Sequence, residues 1–140
     1  MITMGVDCSS KAVHMVVLNE DEEILAYNKV FSKSPEFPLR LIEISDKFIK
    51  QMSKINIRKT AVEKAIYIQN AKATIEIASV VTAIQLACHQ QDIPCTLVDN
   101  KTWKKHIIGN GNSSKADIMK FAISKWGDIF KEQDYADAAC

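Results

Sequence analysis

The chain has 140 residues, 47% of them hydrophobic and 25% charged, with a formal net charge of +1. That length and balance fit one globular domain with a core of its own and exclude a disordered or low-complexity chain. Near-neutral charge leaves a polyanionic partner to be argued from where the charges lie.

The N-terminal stretch MITMGVDCSS lacks a basic region before an apolar one, so no secretory signal is expected. No apolar run is read as a membrane span. Ile2, Met4 and Val6 alternate and then give way to polar residues, which predicts a strand ending near Asp7. VHMVVLN (13–19) and EILAYNKVF (23–31) are β-rich runs joined by an acidic turn and predict an antiparallel pair. From Phe37, with Pro38 in the first turn, Leu41, Ile44, Phe48 and Met52 recur at helical spacing up to about Ser53. KTAVEKA predicts a strand ending near Glu63, and a long helix follows from about Asn70 to Gln91. IPCTLV (93–98) is the next strand, TWKKHII a short helix, GNGN a loop, and SSKAD the start of a helix with a Ser114/Asp117 capping pattern. A last helical segment carries DYADAAC. The order β-β-β-α-β-α-β-α-α before that segment predicts an α/β fold, a mixed five-stranded sheet with helices on both faces. Cys8, Cys88, Cys95 and Cys140 have no metal-type spacing and are expected to be free thiols in a reducing, cytoplasmic setting.

On the long helix Ile77, Val80, Val81, Ile84 and Cys88 form one apolar face, with Ile75 and Leu86 beyond a narrow polar stripe. This arc is wider than packing on one sheet requires. Two readings fit it: burial under neighbouring helices, or a two-fold dimer through Ile77, Val80, Val81 and Ile84.

The acids carry the chemistry. Asp7 and Glu63 end strands that a right-handed crossover would make parallel neighbours, at the sheet edge where open α/β sheets place their ligands. Asp134 and Asp137, three apart on the last helix, share a face. Brought together at ~5 Å and an effective dielectric near 20, each pair of carboxylates would repel by about 3 kcal/mol. Such a cluster holds protons or hard divalent cations, Mg²⁺ among them. An isolated acid at a strand end is ordinarily just solvated; the four together shift the reading. From Lys101 to Lys125 six lysines stand against one acid, Asp117. Alone, that basic stretch reads as a solvated face.

The stretches GVDCSS, VEKAIYIQNAKAT, IPCTLVDNKTWKKHIIGNGNSSK and DYADAA, in this order along the chain, resemble the RuvC-type Holliday-junction resolvases. The resemblance implies a ribonuclease H-like fold and a homodimeric, Mg²⁺- or Mn²⁺-dependent endonuclease with no small-molecule cofactor. Its substrate would be a four-way or branched DNA, nicked symmetrically on two strands to leave 5′-phosphate and 3′-hydroxyl ends. Asp7, Glu63, Asp134 and Asp137 then stand where the family has its metal-binding acids, around two ions ~4 Å apart, with Asp7 expected to bridge them. Lys115, in GxGxxxK from Gly109, matches a basic residue near the scissile phosphate, and Lys104 matches a DNA-facing lysine. Lys101 and Lys105 would track the backbone, Ser10 would contact phosphate, and Tyr67 would stack on a base at the opened crossover or be a plain core or surface tyrosine. A short stand-alone chain of this kind suits a phage or other mobile element at least as well as a cell.

Three features depart from the family pattern. Cys8 and Ser9 replace the usual Pro-Gly after the first aspartate, which restricts that turn. Ile66 stands where a phenylalanine is frequent. Three residues follow Asp137, so the last helix is expected to be short, frayed or truncated. Two other functions are compatible with the same acids: a ribonuclease H-fold nuclease acting on RNA–DNA hybrids or structured RNA, and a junction-binding protein that does not cut. Trp103 is expected to pack rather than touch DNA, and the scattered histidines are assigned no role beyond proximity of His106 to DNA.

Overall fold

A computed structural model describes all 140 residues. The elements run β1 (Thr3–Cys8), β2 (Ala12–Leu18), β3 (Ile24–Phe31), α1 (Phe37–Met52), β4 (Lys59–Glu63), α2 (Ala71–Gln90), β5 (Cys95–Val98), α3 (Asn100–Ile108), α4 (Lys115–Trp126) and α5 (Gln133–Ala139). The five strands form one sheet in the order β3-β2-β1-β4-β5. β1 pairs antiparallel with β2 and parallel with β4, and β5 continues the parallel half. The mixed α/β sheet expected from the sequence is the one observed.

Pleating sends alternate side chains to opposite faces, and the two faces carry different helices. Met4, Val6, Val13, Met15, Val17 and Val62 turn toward α1 and α2, where they meet Ile44, Phe48, Val80, Val81 and Ile84 in the larger core. The other register, with Gly5, Asp7, His14 and Val16, faces the second core of Trp103, Ile118, Phe130, Ala136 and Ala138. The acids therefore lie on the face covered by α3 and α5.

Gly5 lets α5 come down onto β1: a Cβ there would collide with the Ala138 backbone carbonyl. The turn after β1 needs no glycine. The Ser9 hydroxyl accepts from the Ala12 amide at 3.1 Å, and the backbone there stays out of the left-handed region.

Capping fixes where the helices start. Asn70 accepts from the Ala73 amide at 3.1 Å, and Ser114 and Asp117 close a reciprocal capping box at 3.0 and 3.1 Å. Helix α5 has no such cap; Glu132 stands at its N-cap with its side chain turned elsewhere.

The dimer residues expected from the helical wheel need correction. Val80, Val81 and Ile84 are buried within the chain's own core and Ile77 packs against it, so none of them is a free surface. The face of α2 open to solvent carries Ile75 and Leu86 instead, both more than half exposed. The wheel found two apolar arcs, and the sheet took the one assigned to the dimer. Helix α2, 20 residues long with a stretch of mean hydropathy 1.3, meets the length and composition of a membrane span only as a core helix also does, and Lys72 and Glu76 interrupt its apolar residues. In this fold it packs one side on α1 and the sheet.

Candidate active site

β1 delivers Asp7 and β4 delivers Glu63 to the carboxyl ends of adjacent parallel strands, one residue beyond the Val6–Val62 pair. α5 then lies across β1 and β2 and brings Asp134 and Asp137 down from above. One carboxylate oxygen each from Asp7, Asp134 and Asp137 lies within 4.8 Å of the others. Glu63 faces the same group and repels both Asp7 and Asp137. The structure thus brings together all four acids singled out in the sequence.

Their electrostatics follow from that crowding. Asp7 is pushed up to about 8, first by burial and then by the charges of Glu63, Asp134 and Asp137, while Lys115 pulls the other way. No hydrogen bond contributes to holding the Asp7 charge. Asp137 is also raised by burial, against a hydrogen bond from Gln133 at 3.2 Å and the charge of Lys104. Crowding that raises Asp7 this far is relieved either by a retained proton or by a bound cation. The donors are all hard carboxylate oxygens, which fits Mg²⁺ or Mn²⁺. Cys8 next door does not alter this, since burial and the neighbouring Asp7 charge hold its thiol protonated.

Glu63 is held by α3. Asn100 Nδ2 donates to its Oε1 at 3.0 Å and Trp103 Nε1 to its Oε2 at 2.6 Å. Sequence reasoning missed both donors. The available signal was their i, i+3 spacing at the start of a helix that follows β5 directly at the same sheet edge. It missed His14 as well. This residue lies opposite Asp7 in the β1–β2 register, is 2% exposed, and sits between Glu132 (2.7 Å) and Asp134 (3.5 Å).

Of the basic residues, Lys115 and Lys104 lie close enough to act on the acids. Lys115 is the first residue of α4, exposed yet close enough to act on Asp7. Lys104 lies over the Trp103 ring, 5.6 Å from its centroid, and Lys101 and Lys105 are exposed on the same helix. Tyr67, 78% exposed on the loop between β4 and α2, is not a core tyrosine. The Ser10 carbonyl accepts from Arg40 Nη1 at 3.0 Å, which ties the turn after β1 to α1.

The family model described as crossover junction endodeoxyribonuclease RuvC matches residues 3–140. The chain belongs to the RuvC family. Among curated proteins, the crossover junction endodeoxyribonuclease RuvC of Salinibacter ruber is 28% identical over 122 residues, covering 84% of this chain and 68% of that one. The fold of Thermus thermophilus RuvC superposes with a TM-score of 0.85 at 15% identity, over 99% of this chain and 89% of the other. The same protein in complex with Holliday junction substrate gives 0.87 at 16% identity, over 99% and 88%. The yeast mitochondrial Holliday junction resolvase gives 0.65 at 16% identity, over 98% and 72%. The sheet order described above is thus that of RuvC, the ribonuclease H-like arrangement, and the four carboxylates are a RuvC-family chain's acids at the edge of that sheet.

Proposed function

We propose that this RuvC-family chain is an endonuclease that resolves four-way DNA junctions, using Mg²⁺ or Mn²⁺ held by Asp7, Glu63, Asp134 and Asp137. The observation that carries the reading is the convergence of three carboxylate oxygens within 4.8 Å on a partly buried sheet edge, with Glu63 facing them. Bound there, the ions would supply charge neutralisation at the scissile phosphate and a water acidic enough to attack it.

The chain's own residues do the rest. Asp7, on the central strand of the five, would hold an ion together with Asp134 and Asp137. Asn100 and Trp103 donate to the two carboxylate oxygens of Glu63 and so orient it at the site. Lys115 and the amides of the first turn of α4 offer positive charge to a phosphate oxygen. In-line displacement of the 3′ oxygen leaves 5′-phosphate and 3′-hydroxyl ends. Lys101, Lys104 and Lys105 follow the DNA backbone from α3, Ser10 contacts phosphate from the turn after β1, and Tyr67 stacks on an unpaired base at the crossover.

Symmetric cutting of a four-way junction calls for two copies of the site. The solvent face of α2, with Ile75 and Leu86, is the surface through which a second copy would bind. The 140 residues act as a single nuclease domain, in the reducing compartment where its DNA lies.

A substrate panel tests the reading. A four-way junction, a linear duplex and an RNA–DNA hybrid are incubated with the protein and Mg²⁺, and the product ends are tested with DNA ligase. Junction products that religate directly support it. Turnover confined to the RNA–DNA hybrid overturns the substrate assignment.

A further inference from the structure

Asp134 stands on an element with little support of its own. It lies in the first turn of α5, a helix of 7 residues without a side-chain cap. Glu63, by contrast, has two donors of its own. A helix this short does not hold a side chain by its own stability, so an anchor must come from outside it.

That anchor is on β2. His14 is fully enclosed, with its ring edge-on to Tyr135 at a centroid distance of 4.8 Å. Its Nε2 pairs with Glu132 Oε2 at 2.7 Å, and Lys29 Nζ reaches the same carboxylate oxygen at 3.2 Å. Glu132 is correspondingly held below the usual carboxylate range, first by His14 and then by Lys29. The other ring nitrogen, Nδ1, has no hydrogen-bond partner and faces Asp134 Oδ2 at 3.5 Å. A buried polar atom is rarely left this way. Glu132, His14 and Asp134 therefore form a chain of polar contacts ending at a candidate metal ligand.

We propose that His14 is a positioning residue for Asp134: Glu132 fixes the ring through Nε2, and the Nδ1 edge of the ring, 3.5 Å from Oδ2, sets the orientation in which the Asp134 carboxylate meets the cation. This rests on the metal-site reading above. Partners of this kind, one contact out from a ligand, typically contribute about 10–100-fold in metal affinity. Because His14 acts only through Asp134, its effect must vanish when Asp134 can no longer bind the ion.

The test is direct Mn²⁺ binding to the metal-free protein, followed by electron paramagnetic resonance, with thermal unfolding run in parallel. His14→Gln keeps a polar group near Nε2 but none at Nδ1, whereas His14→Asn keeps one near Nδ1. The expected result is roughly tenfold weaker binding for His14→Gln, partial recovery in His14→Asn, and no further loss when His14→Gln is added to Asp134→Asn. Glu132 is half exposed, so Glu132→Gln should fold even if the His14 variants do not, and it should weaken binding in the same direction. Unchanged affinity in a folded His14→Gln or Glu132→Gln protein overturns the proposal. An equal loss in the Asp134→Asn background also overturns it. A Mn²⁺ site that survives Asp7→Asn with Asp137→Asn but is lost on His14→Gln would make His14 itself a ligand, which equally overturns the positioning role. Failure of the underlying metal reading looks different: wild-type protein would bind no Mn²⁺, or Asp134→Asn would bind it as tightly as wild type.

Discussion

Trp103 Nε1 donates to Glu63 Oε2 at 2.6 Å, which makes a core residue of the second face the holder of a candidate metal ligand. The indole ring is buried against α4 and α5, and its single polar atom reaches the sheet edge. Packing and site geometry are thereby coupled. Trp103→Phe keeps most of the ring volume and removes the donor, leaving Asn100 as the other support. It should cost about 1–3 kcal/mol of stability and roughly tenfold in metal affinity. Denaturant unfolding and Mn²⁺ titration of the same variant measure both. Loss of stability with unchanged metal affinity would separate the two roles.

Asp7 makes the metal-free protein sensitive to pH in a defined direction. Its folded value of about 8 lies above the ordinary 3.8, so between those values the folded chain keeps a proton that the unfolded chain has released. Stability without metal must then fall as pH rises from about 4 toward 8 and level off beyond. Asp7→Asn removes most of that slope and should raise the unfolding temperature in EDTA at pH 8 by at least roughly 2–4 °C, the shift that ~1 kcal/mol produces in a domain of this size. Scans of both proteins in EDTA from pH 5 to 9 measure it.

Gly5→Ala tests whether the close approach of α5 to β1 sets the site. The new Cβ meets the Ala138 carbonyl, which is backbone and cannot swing aside. A loss of about 1–3 kcal/mol is expected, together with loosened metal binding, since Asp134 and Asp137 ride on the displaced helix. Equilibrium unfolding and Mn²⁺ titration check both parts.

The lysines divide by distance from the acids. Lys115 acts on Asp7, so Lys115→Gln should lower the cleavage rate far more than it weakens junction binding. Each of Lys101→Gln and Lys105→Gln, whose charges are exposed on α3, should weaken binding and reduce the slope of log affinity against log salt by about 1. Binding at several salt concentrations and single-turnover cleavage separate the two classes.

Self-association should depend on Ile75 and Leu86, the exposed apolar pair on α2. Ile75→Glu with Leu86→Glu should give a monomer by light scattering while leaving the fold intact. A double variant that stays dimeric would place the interface elsewhere.

The parts of the site legible in the sequence were those announced by strand ends and helix spacing. Asp7 and Glu63 stand at the ends of clear β runs, Asp134 and Asp137 share a helical face, and Ser114 with Asp117 forms the expected cap. What holds those acids was not legible, because the partners are remote along the chain. His14 and Glu132 are 118 positions apart, and Trp103 and Glu63 are 40 apart. No periodicity links such pairs; only the β1–β2 register and the landing of α5 on it do. The error at Val80, Val81 and Ile84 has a different cause. A helical wheel shows that α2 has apolar residues on two sides, but which side meets the sheet is decided by the tertiary packing.

The central claim is tested most directly by cleavage of a synthetic mobile four-way junction by wild type and Asp7→Asn, each with Mg²⁺ and with EDTA. Wild type should give paired symmetric nicks in Mg²⁺, lost in EDTA and in Asp7→Asn, while Asp7→Asn still binds the junction. Nicking that persists in EDTA or in Asp7→Asn, or junction binding without nicks under any divalent cation, would contradict it.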